Sequence, residues 1–417
     1  AYETADDKRT PEQKKLLDDN PSVKISPGVL YQYNQAAADE LKKFDAKINE
    51  IRSKKPVEDF VPALTEVTGS IPETQVFHRG DYRQPKDAVG PGVLLICSSP
   101  GTRIDFAPKN EQTPSSGRRL AFARWITGND NPLTARVLVN RFWLHHMGHG
   151  LVDTPGDFGV LGDRPTHPEL LDWLARDFVT HGWKLKRLHK LIMQSTAYRQ
   201  SAARDPRKTE IDGDDRLYSR RSVLRLDAES VRDRMLATAG VLGTRMFGPA
   251  TPVKEDDVGQ VVVAADAPAP GAEVPADHPA FRRGLYIQVR RTRPLAFLNS
   301  FDAPVMEVNC DRRPISTVAP QALMLLNSDF VLQQSGQFAA RVLREAGADA
   351  ARQIGRAWQL AYCRTPTADE LQGATAFLTQ RTAQLQAQTP PPGNVPLESL
   401  TSLCQALLGS NEFLYVD

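Results

Sequence analysis

The sequence predicts a mainly α fold with minor β: two or three packed helical units, a small antiparallel sheet and long Pro/Gly-rich loops. Three observations carry that expectation. Apolar residues recur at 3–4 spacing in several windows, from Leu41-Phe44-Ile48-Ile51 near the start to Leu403-Leu407-Leu408 near the end. Helix-start signals precede such windows, above all Asn131-Pro132. The 31 prolines and 27 glycines imply many loops between the helices.

The 417 residues are enough for two or three folding units, each with its own core. An apolar fraction of 41% and a charged fraction of 24% are those of an ordinary globular protein. Lys and Arg total 52 against 50 Asp and Glu, so no global field draws the chain to nucleic acid or to an acidic membrane. No apolar run approaches the roughly 18 residues of a membrane-spanning helix. Ala1–Thr10 is polar and lacks the apolar stretch of a signal peptide. Cys97, Cys310, Cys363 and Cys404 form no CxxC and no CxxCH, so covalent haem attachment is not expected and no cofactor is assigned to this chain. Zero, one or two disulfides remain open.

Taken in order, Asn34–Lys54 reads as a helix with a narrow apolar stripe, suited to packing on one side or to a coiled-coil arm. Thr74–His78 and Gly92–Cys97 read as short strands. Ser115 and Ser116 are cap candidates for a helix through Ile126. Asn131 (N-cap) and Pro132 (first helical position) open a helix with Ala135, Leu138, Val139 and Phe142 inward, ending near Gly148. A loop from Gly148 to Pro165 follows. Thr166-His167-Pro168-Glu169 has capping-box spacing and opens a helix with Leu170, Leu171, Leu174 and Phe178 on one face. After the turn at His181-Gly182, Leu185, Leu188 and Ile192 face in. A helix from Asp227 to about Leu242, an exposed and mobile loop from Ala264 to Pro279, a strand over Gly284–Arg290 and a helix from Thr317 through Leu332 complete the middle. Two or three helices, broken by the loop Thr389–Pro396, end the chain. There is no internal repeat.

Several clusters are candidates for chemistry. His145 and His149 lie four apart, as two metal ligands on one helix face would, with His146, Asp153, Asp157, Asp163 and His167 close by. The structural alternative is a polar helix end whose histidines cap carbonyls, followed by a loop stitched by aspartates. No HExxH supplies a glutamate base. Glu229 and Asp233 share a helix face, but Arg225 four residues before Glu229, with Arg232 and Arg234 interleaved, favours an ion-pair lattice. Arg282, Arg283, Arg290, Arg291 and Arg293 form a run suited to a phosphate, carboxylate or sulfate group, against pairing with Asp302, Glu307 or Asp311. GxSxG, GxGxxG and the P-loop are absent.

These motifs together resemble the C-terminal domain of unknown function of large planctomycete-type secreted proteins. The likeness rests on Asn131–Arg136, Asn140–Trp143, Gly148–Val152, Thr154–Gly159 and Pro165–Ala175. It continues with Ala228–Asp233, Phe301-Asp302, Pro320–Leu323, Leu326–Ser328 and Asn411–Asp417. Met147 stands where the family tends to have Phe, and Cys363 where Gly is usual. The resemblance covers 117–417, with 117–210 as a central helical core, 211–330 as a mixed α/β part and 331–417 as C-terminal helices. Residues 1–116 then read as a helical arm and connector with short strands.

The resemblance implies export to the periplasm or cell surface, a companion domain and often a c-type cytochrome module upstream, with any haem held there. It supplies no catalytic residues. The expected function is non-catalytic recognition or scaffolding. Asn140, Arg141, Asp157 and His167 organise the central loop, with His146 among the binding candidates, and the arginines Arg282, Arg283 and Arg290 meet an anionic partner such as a surface polymer. Upstream modules of the same precursor are the other expected partners; a membrane span and nucleic acid are not expected. The rivals are a metal-assisted hydrolase built on His145, His146, His149, Asp153, Asp157 and His167, and haem contact in trans through His146 or Met147.

Overall fold

The computed structural model describes residues 1–24, 28–56, 58, 60–67, 70–98, 104–107, 109–129, 131–304 and 310–416. Glu307 and Asp417 lie outside the described residues. The chain divides into two compact units, residues 1–88 with 109–117, and residues 89–108 with 118–417.

In the first unit, α1 (Pro11–Asp19) starts under a capping box. Thr10 Oγ1 accepts from Gln13 N at 3.3 Å while Thr10 N donates to Gln13 Oε1 at 3.0 Å. Asn34 caps α2 (Gln35–Ser53), its Oδ1 accepting from Ala37 N. The apolar stripe of α2 stays largely in solvent: Phe44, Ile48 and Ile51 are all exposed. β1 (Thr74–Phe77) pairs with β2 (Pro85–Val89). Ser116 donates through N and Oγ to the Glu66 carboxylate at 2.6 and 2.8 Å, a tie across fifty residues.

The second unit opens on Gly92–Cys97, which is not a strand. Gly92 makes one bridge to Asp105, and Leu95–Cys97 coils into a 3-10 turn. Helices α3 (Arg118–Ile126) and α4 (Thr134–Met147) follow. Asn131 Oδ1 accepts from Leu133 N and Thr134 N at 2.9 and 2.8 Å, so it starts the turn as its side-chain chemistry predicts. Pro132 lies before the helix, not in its first turn. α4 ends at Gly148, whose φ of 88° is left-handed. A Cβ there would sit 2.4 Å from Leu224 Cδ2, so close packing adds to the backbone's need for glycine.

α5 (Pro168–Thr180) has His167 at its N-cap, and the predicted capping box does not form. Thr166 instead donates from N and Oγ1 to Leu151 O at 2.8 and 3.4 Å, so the preceding loop takes the group the box needed. α6 (Leu185–Gln194) buries Leu188 and Ile192 but leaves Leu185 exposed. Short α7 (Thr196–Arg199) and α8 (Pro206–Ile211) lead to β3 (Leu224–Arg225). Val139, Trp143, Met147, Leu151, Leu171, Leu174, Phe178, Leu188 and Ile192 form one core, made by packing α4 against α5 and α6.

α9 (Ala228–Ala239) is capped by Asp227, whose Oδ1 accepts from Ser230 N, and stops at Gly240. β4 (Val253–Glu255) and β5 (Val261–Val263) form an antiparallel hairpin. The predicted strand over Gly284–Arg290 is a 3-10 turn at Gly284–Tyr286 with one bridge from Ile287 to Thr251. The reason is local: Asp233 Oδ1 takes Gly284 N at 2.6 Å and draws the chain onto α9. The loop 264–279, read as free, is docked on one side. Gln337 Nε2 donates to Pro268 O and Ala269 O at 2.9 and 3.1 Å, and Ala265, Ala267 and Val274 pack near Leu236 and Phe281.

After α10 (Ala296–Ser300), the predicted helix through Leu332 is two: α11 (Ala319–Asn327) and α12 (Asp329–Ala346). They meet at Ser328, extended at φ −71° and ψ 129°. α13 (Ala350–Tyr362), α14 (Ala368–Gln386), α15 (Val395–Leu408) and α16 (Asn411–Leu414) finish the helical set, and β6 (Tyr415–Val416) returns to pair antiparallel with β3. The larger core joins α9, α12, α13, α14 and α15, with Val331, Phe338, Ile354, Leu400 and Leu408 at its centre. The family of elements is mainly α with minor β.

Phe338 is fully buried in that core. Phe338→Ala is expected to lower unfolding free energy by about 3–5 kcal/mol, the cost of an aromatic-sized cavity. Urea denaturation checks it; a loss below about 1 kcal/mol would show that this core collapses around the gap.

Candidate functional site

The loop 148–167 between α4 and α5 is built around one buried amide. Asn140, on α4, is fully buried. Its Nδ2 donates to Val152 O at 2.8 Å and its Oδ1 accepts from Val152 N at 2.8 Å. The side chain thus acts as a substitute strand, satisfying both backbone groups of a buried residue that no sheet reaches. Beyond this clamp the loop closes on itself. Thr154 Oγ1 donates to Asp157 O and accepts from Asp163 N, both at 2.9 Å. Asp157 Oδ1 accepts from Gly159 N at 2.7 Å, and Asp157 itself faces solvent.

Tyr218 is the second support, and sequence reasoning missed it. It is buried, holds a left-handed φ of 56°, and donates from its hydroxyl to His149 O at 3.2 Å. Its ring meets Trp143 edge-on at 5.3 Å and lies 5.5 Å from the His167 ring. Burial pushes the Tyr218 phenol up to about 12, with the Asp153 charge adding to it. Arg221, which the sequence placed with Arg220 in the ion-pair lattice around Glu229, instead donates to His146 O and Met147 Sδ and stacks over Tyr198 at 4.4 Å. The terminal carbonyls of α4 and its loop are therefore taken by Arg221 and Tyr218, where the sequence suggested the histidines. A guanidinium at a helix C-terminus is favoured by the carbonyl dipoles as well.

The histidines and aspartates do not converge. His145 is exposed at the end of α4. His146 Nε2 lies 2.7 Å from His189 Nδ1, a partner on α6 that the hydrophobic pattern gave no reason to single out. His149 Nδ1 stands 3.6 Å from Asp153 Oδ1, and Asp153 Oδ2 accepts from Arg312 at 3.0 Å. His167 Nδ1 is 3.0 Å from Thr166 Oγ1. Arg141 is exposed. Among the described residues no three His, Cys, Asp or Glu side chains come together to hold a metal ion. Met147 is buried, and its sulfur lies 3.9 Å from Arg221 Nη1.

The arginine clusters resolve into pairs with carbonyls and carboxylates. Glu229 is bidentate with Arg313, at 2.5 and 3.1 Å, and not with Arg225. Arg225 reaches Asp302 at 2.5 Å. Burial works against the Asp302 charge, but the Ser316 N–H and hydroxyl and the Arg225 guanidinium outweigh it and hold the carboxyl below the usual range. Arg282 is buried and donates to Pro249 O and Phe247 O at 2.6 and 2.5 Å, while Arg283 faces Asp233 at 3.3 Å and Arg290 is exposed. These three do not form one open anion patch. Beside the α4 terminus, however, lies a cleft of about 440 Å³ lined by His145, Arg221, Asp227, Asp311, Arg312 and Arg313 among others. All four cysteines are free thiols, Cys97 and Cys404 buried and Cys310 and Cys363 exposed.

Fold and site together define a mainly α domain with an internally buttressed polar loop beside a charged cleft. The chain belongs to the PSD1 family, described as a protein of unknown function (DUF1553), whose sequence model matches residues 118–378. No curated protein and no solved structure matches the chain.

Asn140→Ala leaves both polar groups of Val152 buried without partners and is expected to cost about 2–4 kcal/mol, read by denaturant unfolding. A neutral result would remove the clamp from its central place. His146 gives a pH test. Burial first, then the neighbouring His189, Arg221 and His145, hold its imidazole below the ordinary 6.5. The folded state thus favours the neutral ring, and the unfolded chain takes the proton first. Stability is full above about pH 6.5 and falls as pH drops from there through the folded value. The melting temperature should decline over that window, and His146→Phe should flatten the decline.

Proposed function

We propose that this domain is a non-catalytic recognition or scaffolding module of an exported multidomain protein, working beside upstream modules that include a c-type cytochrome. The observation that carries the reading is the Asn140 clamp with its surrounding bonds. Asn140, Thr154 and Tyr218 spend their polar groups on the loop backbone, so the loop is braced from within, and it meets the adjoining cleft at Gly148. A surface braced in this way lowers the ordering cost of binding a partner.

The cleft supplies a surface of matching kind. Arg312 and Arg313 line it while pairing with Asp153 and Glu229, so a partner carboxylate can exchange into guanidinium forks already held in place. The domain-of-unknown-function resemblance supports the exported setting and the cytochrome neighbour.

The test uses the purified chain and the upstream modules of its own precursor as a separate protein. Biolayer interferometry is expected to show binding, weakened at least tenfold by the double variant Arg312→Glu, Arg313→Glu. Elemental analysis of the same preparation is the counter-test. A stoichiometric metal that disappears on His146→Ala with His167→Ala would overturn the reading in favour of metal-assisted hydrolysis.

A further inference from the structure

A second cavity, of about 400 Å³, lies between the β4–β5 hairpin and the start of α12. It shares no lining residue with the cleft beside α4. One part of its wall is apolar, from Val261, Leu295, Phe297 and Phe330 among others. Lys254, Asp256, Asp266 and Asp329 stand in the lining too, and the deeply buried charge among them is Arg232 of α9, which is 1% exposed.

The Arg232 guanidinium lacks a close counter-ion. Nη1 donates to Arg282 O at 2.7 Å and Nη2 to Ala280 O at 3.1 Å. Both of these partners are neutral backbone carbonyls, so neither neutralises the guanidinium charge. Among the described residues the one carboxylate within 4 Å is Asp233, whose Oδ1 is 3.8 Å away and already accepts from Gly284 N at 2.6 Å. A buried cation served by carbonyl dipoles and a distant, shared carboxylate is costly, and an anion brought into contact relieves that cost. The guanidinium also faces the Phe330 ring at 5.3 Å, which holds it at the cavity edge.

We propose that this cavity binds a small apolar carboxylate, with its hydrocarbon body between the valine and phenylalanine walls and its head on Arg232. The volume is in the range of small-molecule sites, about 300–1,000 Å³. One head group of single charge fits the surroundings better than a phosphate. Asp256, Asp266 and Asp329 stand among the other lining residues, and Lys254 is already paired with Asp266 at 3.2 Å, so a dianion meets more repulsion and a larger desolvation cost than a single charge held at Arg232. Burial lowers the Arg232 pKa to about 10, opposed by Asp233, which is the direction expected for a cation short of a counter-ion. The assignment is independent of whether the α4 cleft binds a partner.

The experiment is calorimetric titration of the intact chain with octanoate, octan-1-ol, octylamine and octyl phosphate. Octanoate is expected to bind one to one and at least tenfold more tightly than the other three. Arg232→Met should lower octanoate affinity at least tenfold and leave octan-1-ol unchanged. Because Arg232 also holds two carbonyls, a second variant keeps the test open: Ala267→Phe fills the cavity from its wall without touching the guanidinium. It should abolish octanoate binding while the melting temperature stays close to that of the parent chain. No response to millimolar octanoate, equal affinity for octan-1-ol, or octyl phosphate binding as tightly as octanoate would each overturn the proposal. Unaltered octanoate binding by Ala267→Phe would place the site elsewhere and overturn it as well.

Discussion

A single amide, Asn140, sits where α4 and the loop that follows it must share a buried boundary. The loop carries Val152 into the core between α4 and α5, where water is excluded. A strand would satisfy the backbone of Val152 by pairing, but no strand is there. Asn140 offers a donor and an acceptor in one plane at the spacing of a peptide group, and so replaces the missing strand. With Val152 fixed, Leu151 O receives Thr166, Tyr218 covers His149 O, and the entry to α5 is set.

The second principle of this molecule is the use of arginine to serve carbonyls that regular structure leaves over. Three helix ends illustrate it. Arg221 takes His146 O at the end of α4, Arg341 takes Ala237 O and Thr238 O at the end of α9, and Arg234 takes Ala361 O at the end of α13. Arg232 and Arg282 do the same for the irregular chain near Ala280 and Pro249. The last carbonyls of a helix have no intrahelical donor, and a guanidinium fork reaches them from a distant segment while countering their dipole. The balanced net charge of +2 hides this arrangement, because many arginines answer carbonyls and not carboxylates.

The helices were legible in sequence where an apolar period of 3–4 coincided with a strong local stop or start. α2, α4, α5 and α9 are such cases, with Asn34, Gly148, His181-Gly182 and Asp227 each marking one limit. Reading failed where a distant group claimed the local one. Thr166 bonds to Leu151 and not to its own helix, Gly284 is drawn to Asp233 and not into a strand, and Glu229 pairs with Arg313 and not with Arg225. The His/Asp spacing at 145–167 suggested convergence because sequence shows proximity along the chain and not direction. Gly148 turns the chain left-handed after α4, and the candidate ligands part company there.

The sequence by itself determined the mainly α class, the position of most helices and the polar character of the 148–167 loop, because periodicity, caps and turn residues act over a few residues. The tertiary structure decided which polar group answers which. His189 beside His146, Tyr218 under His149, Arg312 on Asp153 and the nearly sealed Arg232 on Arg282 O are contacts between segments far apart in the chain. Their energies come from burial and from the fixed orientation of donors and acceptors, and neither quantity exists until the helices have packed.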